Sequence, residues 1–97
     1  MHRVRFRREV VEDMAQGARW YNERSTGLGA EFLDECQAAI DRVVASPELA
    51  AVGFREVRSA RLHRFPYVVH YRIEGATLLV IAVLFGGRDP TAWQDRA

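Results

Sequence analysis

The run Leu78-Leu79-Val80-Ile81-Ala82-Val83-Leu84-Phe85 holds no polar side chain, and it constrains the fold more than any other part of the chain. It is too short to cross a bilayer as a helix. Glu74-Gly75-Ala76 precedes it and Gly86-Gly87-Arg88-Asp89-Pro90 stops it, so it reads as a strand in the middle of a sheet. The Glu74-Gly75-Ala76 turn makes a hairpin with Tyr67-Val68-Val69-His70-Tyr71-Arg72-Ile73, which is rich in β-formers. A further strand segment, from about Glu56 to Arg64, leads into Phe65-Pro66. Thr91 to Ala97 is a short tail with Trp93 as its one anchor.

The first half of the chain has another period. Arg3-Val4-Arg5-Phe6-Arg7 alternates, which predicts a short strand with Val4 and Phe6 inward. From about Arg8 to Arg24, Val10, Met14, Gly17, Ala18 and Tyr21 recur at helical steps. Glu9, Glu12 and Asp13 sit in the first turn, where the helix dipole favours negative charge. After the turn Ser25-Thr26-Gly27-Leu28-Gly29, a second helix is expected from about Gly29 to Ala45. Its apolar face carries Phe32, Leu33, Cys36, Ala39, Ile40, Val43 and Val44, and Ser46-Pro47 ends it. So short a turn makes the helices an antiparallel hairpin, with Gly17 and Ala18 letting them approach. The fold class is therefore α+β, in the order β-α-α-β-β-β, with a helical hairpin packed on an antiparallel sheet. One core is expected, with Met14, Ala18, Phe32, Cys36, Ile40, Val69, Tyr71, Val80, Ala82 and Leu84 contributing.

At 97 residues the chain reads as one domain, 1–97, whose helices and sheet must share the same apolar residues. A deep substrate cavity would compete for them, so a shallow working surface is expected. Cys36 is the lone cysteine, which excludes an intrachain disulfide and a cysteine-rich zinc site. The basic start is followed by Glu9, Glu12 and Asp13 where a signal peptide needs an apolar run. These features point to the cytoplasm and away from a membrane.

All fourteen cations are arginines. Arginine presents a fixed fork of donors to phosphates and carboxylates and does not release its proton; genomic base composition is the simpler account of the missing lysines, so the positions of the arginines carry more information than their number. Arg55, Arg58, Arg61, Arg64 and Arg72 crowd the expected sheet, with His63 and His70 among them. If Tyr67, Val69, Tyr71 and Ile73 face the helices, Val68, His70 and Arg72 point to the other side. That face would be cationic and would suit a phosphate backbone or an acidic protein segment. A solvated face paired with Glu56 and Glu74 fits the same residues. His2, His63 and His70 lack metal-ligand spacing, and Cys36 lies on an apolar stripe where thiols are packing. Ser25, Ser46 and Ser59 lack a recognisable base nearby in sequence. No metal and no cofactor is expected.

Arg64-Phe65-Pro66-Tyr67, His70-Tyr71-Arg72-Ile73-Glu74, the run Val80 to Pro90 and then Trp93, together with Trp20-Tyr21, Gly27-Leu28-Gly29 and Phe32-Leu33, resemble the RelE/ParE superfamily. These are toxins of bacterial type II toxin–antitoxin systems, formerly called plasmid stabilisation proteins. The resemblance runs from about Val4 to Trp93 and implies the β-α-α-β-β-β fold, growth arrest, and a cognate antitoxin as partner. It implies two activities: RelE-type toxins cleave messenger RNA in the ribosome, and ParE-type toxins inhibit DNA gyrase. Related nucleases often carry histidine just before the Arg-Asp-Pro motif, where this chain has Phe85-Gly86-Gly87, and no tyrosine follows Tyr71. Cleavage by a ribose 2′-hydroxyl needs a base and an acid, and arginine is poor at both. The expectation is a ParE-like gyrase inhibitor, with Arg58, Arg61, Arg64, Arg72, Arg88 and Trp93 contacting gyrase or antitoxin. The alternative is a ribosome-dependent endoribonuclease in which Arg58, Arg61, Arg64, Arg72, Arg88, His63 and His70 act on mRNA. A third reading is a non-toxic member that only binds its antitoxin.

Overall fold

The computed structural model describes residues 2–97. β1 (Arg3–Phe6) leads into α1 (Glu9–Arg24) and α2 (Leu28–Ala45); β2 (Arg58–Arg61), β3 (Tyr67–Glu74), β4 (Thr77–Phe85) and a short α3 (Thr91–Gln94) follow. The sheet order is β1-β4-β3-β2, so the all-apolar strand is central. β3 and β4 meet through the two-residue turn Gly75-Ala76, where Gly75 takes the left-handed φ of 61° that favours glycine.

One strand departs from the expected antiparallel arrangement: β1 lies parallel to β4, with Arg3 opposite Thr77 and Phe6 opposite Val80. The helical hairpin is the reason. α1 continues the direction of β1, passing from Asp13 beside Val83 to Tyr21 beside Tyr67. α2 then returns the chain to the other end, where the Tyr71 hydroxyl donates to the Pro47 carbonyl at 2.7 Å. β2 must set out in the same sense as β1, and two antiparallel reversals bring β4 parallel to β1. The sheet is mixed.

Between the hairpin and the sheet lies a core of Val10, Phe32, Cys36, Ile40, Val69, Tyr71, Leu78, Val80 and Val83, with Met14 and Ala18 packed against it. Phe32 sits edge-on to Phe65 and Tyr67. Gly17 leaves space for that ring, since a Cβ there would lie 2.6 Å from it. The helices also approach closely at Gly29, whose Cβ would meet the Ala18 carbonyl oxygen at 2.5 Å.

Ala82 and Leu84 do not join this core. They lie in a second apolar cluster with Val57, Leu79 and Ile81, covered by Ala92, Trp93 and Ala97. A bulge explains the split: His70 is opposite Ala82 and Tyr71 opposite Val80, which leaves Ile81 as an extra residue in β4. The parity of β4 changes there, so Val80 and Val83 face the hairpin while Ile81 and Ala82 both face away. Both sheet faces are therefore covered.

Candidate functional site

The sheet face away from the hairpin carries His70, Arg72 and Trp93 among the residues that the sequence singles out. α3 folds back onto it. The Asp89 carboxylate starts that helix by accepting from the Thr91 backbone N–H at 3.0 Å and hydroxyl at 2.9 Å. Trp93 then lies flat on His70, with ring centroids 4.5 Å apart and planes 15° apart. Phe54 meets Trp93 edge-on. His70 is only 8% exposed, and its Nδ1 is 2.8 Å from the Ser59 hydroxyl. Burial pushes its pKa down to about 4; Arg96 lowers it further and Asp13 partly offsets this. At neutral pH the ring is uncharged and roofed by an indole.

The arginines divide into two groups. Arg58 donates to the carbonyls of Glu48 and Ala50 at 3.0 and 2.6 Å. Arg72 binds Glu74 at 2.9 Å and reaches the Arg55 carbonyl at 3.5 Å. Both hold the Glu48–Val57 loop, in which Arg55 and Glu56 take left-handed φ values of 49° and 67°. Arg64 pairs with Glu31 at 2.9 Å across to α2. The sheet is consequently less cationic than the spacing suggests, because the same forks that suit a phosphate are spent on carbonyls and carboxylates of this chain. Arg61 and Arg88 differ: among the described residues neither side chain has a hydrogen-bond or ion-pair partner. Arg61 lies beside Gly86, and the charge of Arg88 reaches the Tyr67 hydroxyl. Both lie near the end of β4, the strand that closes on the half-exposed Phe85. His63 is exposed in the turn between β2 and β3. It stays apart from the buried His70.

Asp13 and Arg96 escape sequence reasoning. The expected role of Asp13 is at the helix dipole, yet the side chain is buried, 7% exposed, and binds Arg96 through both oxygens at 2.6 and 2.9 Å. β1 ends opposite Val80, and among the described residues no strand covers the rest of that β4 edge. The pair fills the gap: Asp13 accepts from the Val83 N–H at 3.1 Å and Arg96 donates to the Ile81 carbonyl at 3.2 Å. The Arg96 carbonyl in turn accepts from Arg7 at 3.1 Å. The tail is thus fixed at both Trp93 and Arg96. The available signal was position, since Asp13 lies three residues after Val10 and four before Gly17, on the buried stripe.

Residues 4–90 match the family model described as the ParE toxin of the type II toxin–antitoxin system, parDE. A solved structure described as the chromosomal ParDE TA system from P. aeruginosa superposes with a TM-score of 0.69 at 18% identity, over 88% of this chain and 96% of that one. At that identity the likeness shows the fold. No curated protein matches the sequence.

Proposed function

The chain belongs to the ParE toxin family of type II toxin–antitoxin systems, and from that premise we propose that it acts by binding, as a cytoplasmic inhibitor of DNA gyrase neutralised by a cognate antitoxin. The state of His70 carries this reading. A general base for RNA cleavage works best with a pKa near the working pH and with its nitrogen within reach of the attacking hydroxyl. His70 has a pKa near 4, is stacked under Trp93 and is bound to Ser59. Arg58 and Arg72 already serve the neighbouring loop. What the surface offers is Arg61 and Arg88 near the end of β4, two guanidiniums without a partner among the described residues and of the residue type common at contact hot spots. Such a surface holds a carboxylate or a phosphate and moves no proton.

The test is induced expression in a bacterial host while DNA-damage signalling and protein synthesis are followed together. The proposal predicts damage signalling first, with translation initially intact, and suppression of both growth arrest and signalling by the antitoxin. Immediate translational arrest with codon-positioned mRNA cuts that vanish in His63→Ala or His70→Ala overturns it in favour of the nuclease. Normal growth despite accumulation of folded protein overturns it in favour of a non-toxic binding member.

A further inference from the structure

The stretch Arg3-Val4-Arg5-Phe6-Arg7-Arg8 holds four cations in six residues, and none of them takes part in the function proposed above. Strand alternation sorts the run between the two sides of the sheet. Val4 lies opposite Leu78 and packs against the hairpin core. Arg5 lies opposite Leu79, which belongs to the apolar cluster on the other side. Residues paired across a ladder point to the same side, so Arg3 and Arg5 form a row away from the hairpin, their Cα atoms roughly 6.5 Å apart. Arg7 continues that row, donating from its Nε to the Arg96 carbonyl at 3.1 Å.

The row borders two adjoining depressions. Arg5, Arg7 and Arg8 line a groove of about 630 Å³. Arg3 lines a neighbouring hollow of about 490 Å³ with His2 and Ala76, and Thr77 borders both. Arg3, Arg5 and Arg8 are exposed. Among the described residues their side chains have no hydrogen-bond or ion-pair partner, and Arg7 touches only a carbonyl. The acids of the groove are Glu9, Glu74 and Asp95, of which Glu74 is taken by Arg72. Arg96 lines the same groove but is held by Asp13. Four cations therefore stand against Glu9 and Asp95, and no acid is among the described residues that line the hollow at Arg3.

Cations repeated at each strand step suit a ligand that carries one negative charge per unit along its length, as a phosphodiester backbone does. A protein partner is a poorer fit. Protein interfaces are held by an apolar centre inside a polar rim, and in this groove Leu79 is buried while Phe6 is the one exposed apolar side chain. Nor does either depression hold asparagine or glutamine to read a base edge. We propose that the arginine row of β1 and the start of α1 binds the phosphate backbone of duplex DNA without reading its sequence. The choice of DNA over RNA rests on the function proposed above, because gyrase works on DNA; the phosphate chemistry does not.

The experiment uses the full chain with short labelled DNA duplexes of two unrelated sequences, an RNA duplex, and a polyglutamate peptide. Affinity is read by fluorescence anisotropy over a salt series, and the place of binding by amide chemical shifts in NMR. Both DNA sequences should bind equally and at least as tightly as the RNA. The logarithm of affinity should fall against the logarithm of salt with a slope of about −3, as for three or four neutralised phosphates. Shifts should centre on Arg3 to Arg8 and Thr77. Arg3→Ala with Arg5→Ala should lower affinity on the order of tenfold and flatten the slope by about two. Arg24→Ala with Arg42→Ala removes the same charge from exposed positions of the hairpin and should change neither; circular dichroism checks that both variants fold. Equal losses in the two variants, polyglutamate bound as tightly as DNA, or shifts centred elsewhere overturn the proposal. Tighter binding of the RNA overturns the assignment to DNA. No gyrase is present, so a chain that ignores DNA yet still blocks supercoiling overturns the arginine row and leaves the toxin reading intact. A chain that binds DNA through the row but leaves supercoiling untouched does the reverse.

Discussion

Removing the Asp13 carboxylate tests how the last turn of the chain is held. Asp13→Ala takes away the acceptor of the Val83 N–H and both hydrogen bonds to Arg96. The guanidinium is left without its carboxylate at a site where its side chain is 16% exposed. Breaking a buried pair from one side costs about 3–5 kcal/mol. The orphaned backbone donor alone costs about 1–3 kcal/mol, and much of this overlaps with the first figure. A total of about 4 kcal/mol is expected, a large share of the roughly 5–15 kcal/mol that holds a small domain together. For a domain this size that corresponds to a fall in Tm of roughly 15–30 °C. Urea unfolding followed by far-UV circular dichroism measures it. Arg96→Met keeps an aliphatic stem and loses the same pair, so it should cost about 3 kcal/mol by the same reasoning. The double variant should cost about as much as Asp13→Ala alone, a coupling of about 2–3 kcal/mol. Additivity within about 0.5 kcal/mol, or a loss below about 1 kcal/mol for Asp13→Ala, would refute the claim that the pair closes the β4 edge.

Ile40→Ala in the buried core should cost about 2–5 kcal/mol in the same assay; a loss below about half a kcal/mol contradicts the placement of α2. Gly29→Ala should destabilise by about 1–3 kcal/mol despite its better helix propensity, because its methyl would meet the Ala18 carbonyl; unchanged urea midpoints would show that the hairpin can open. Between pH 6.5 and about 4 the unfolded chain protonates His70 and the folded chain does not. The stability due to its neutral burial is therefore complete above pH 6.5 and is lost as pH falls to about 4, to a total of up to about 3 kcal/mol. His70→Phe should flatten that slope, and an NMR titration midpoint near the ordinary histidine value would contradict it. Burial pushes the Cys36 thiol up to about 12, with Glu35 adding to the shift. It should resist Ellman's reagent at pH 8 until the chain unfolds; rapid labelling of the native protein would place it at the surface.

The elements were legible where the hydrophobic period was clear. α1 and α2, the Gly75-Ala76 turn and the central position of β4 all follow from spacing and turn residues. The division of β4 between two clusters was not legible, for a physical reason. Alternation marks a bulge only when one face is polar, and in an all-apolar run the extra residue Ile81 leaves no trace. The parallel pairing of β1 was hidden because strand direction depends on where α2 sets the chain down. The arginines were visible as a cluster, but their partners were not. Arg58 and Arg72 serve backbone carbonyls of a loop whose path no local pattern encodes. The Asp13–Arg96 bond joins residues 83 positions apart, and only the place of Asp13 on the apolar stripe hinted at it.

Gyrase binding and RNA cleavage are the two activities between which the proposed function decides. The most direct measurement is ATP-dependent supercoiling by purified DNA gyrase with the purified chain added. Inhibition is expected to rise with toxin, to be relieved by the antitoxin, and to be retained in His63→Ala and His70→Phe. Arg61→Glu with Arg88→Glu, whose side chains have no partner among the described residues, is expected to weaken it. Supercoiling unaffected by a stoichiometric excess of folded protein, together with mRNA cleavage on programmed ribosomes, would contradict the gyrase reading.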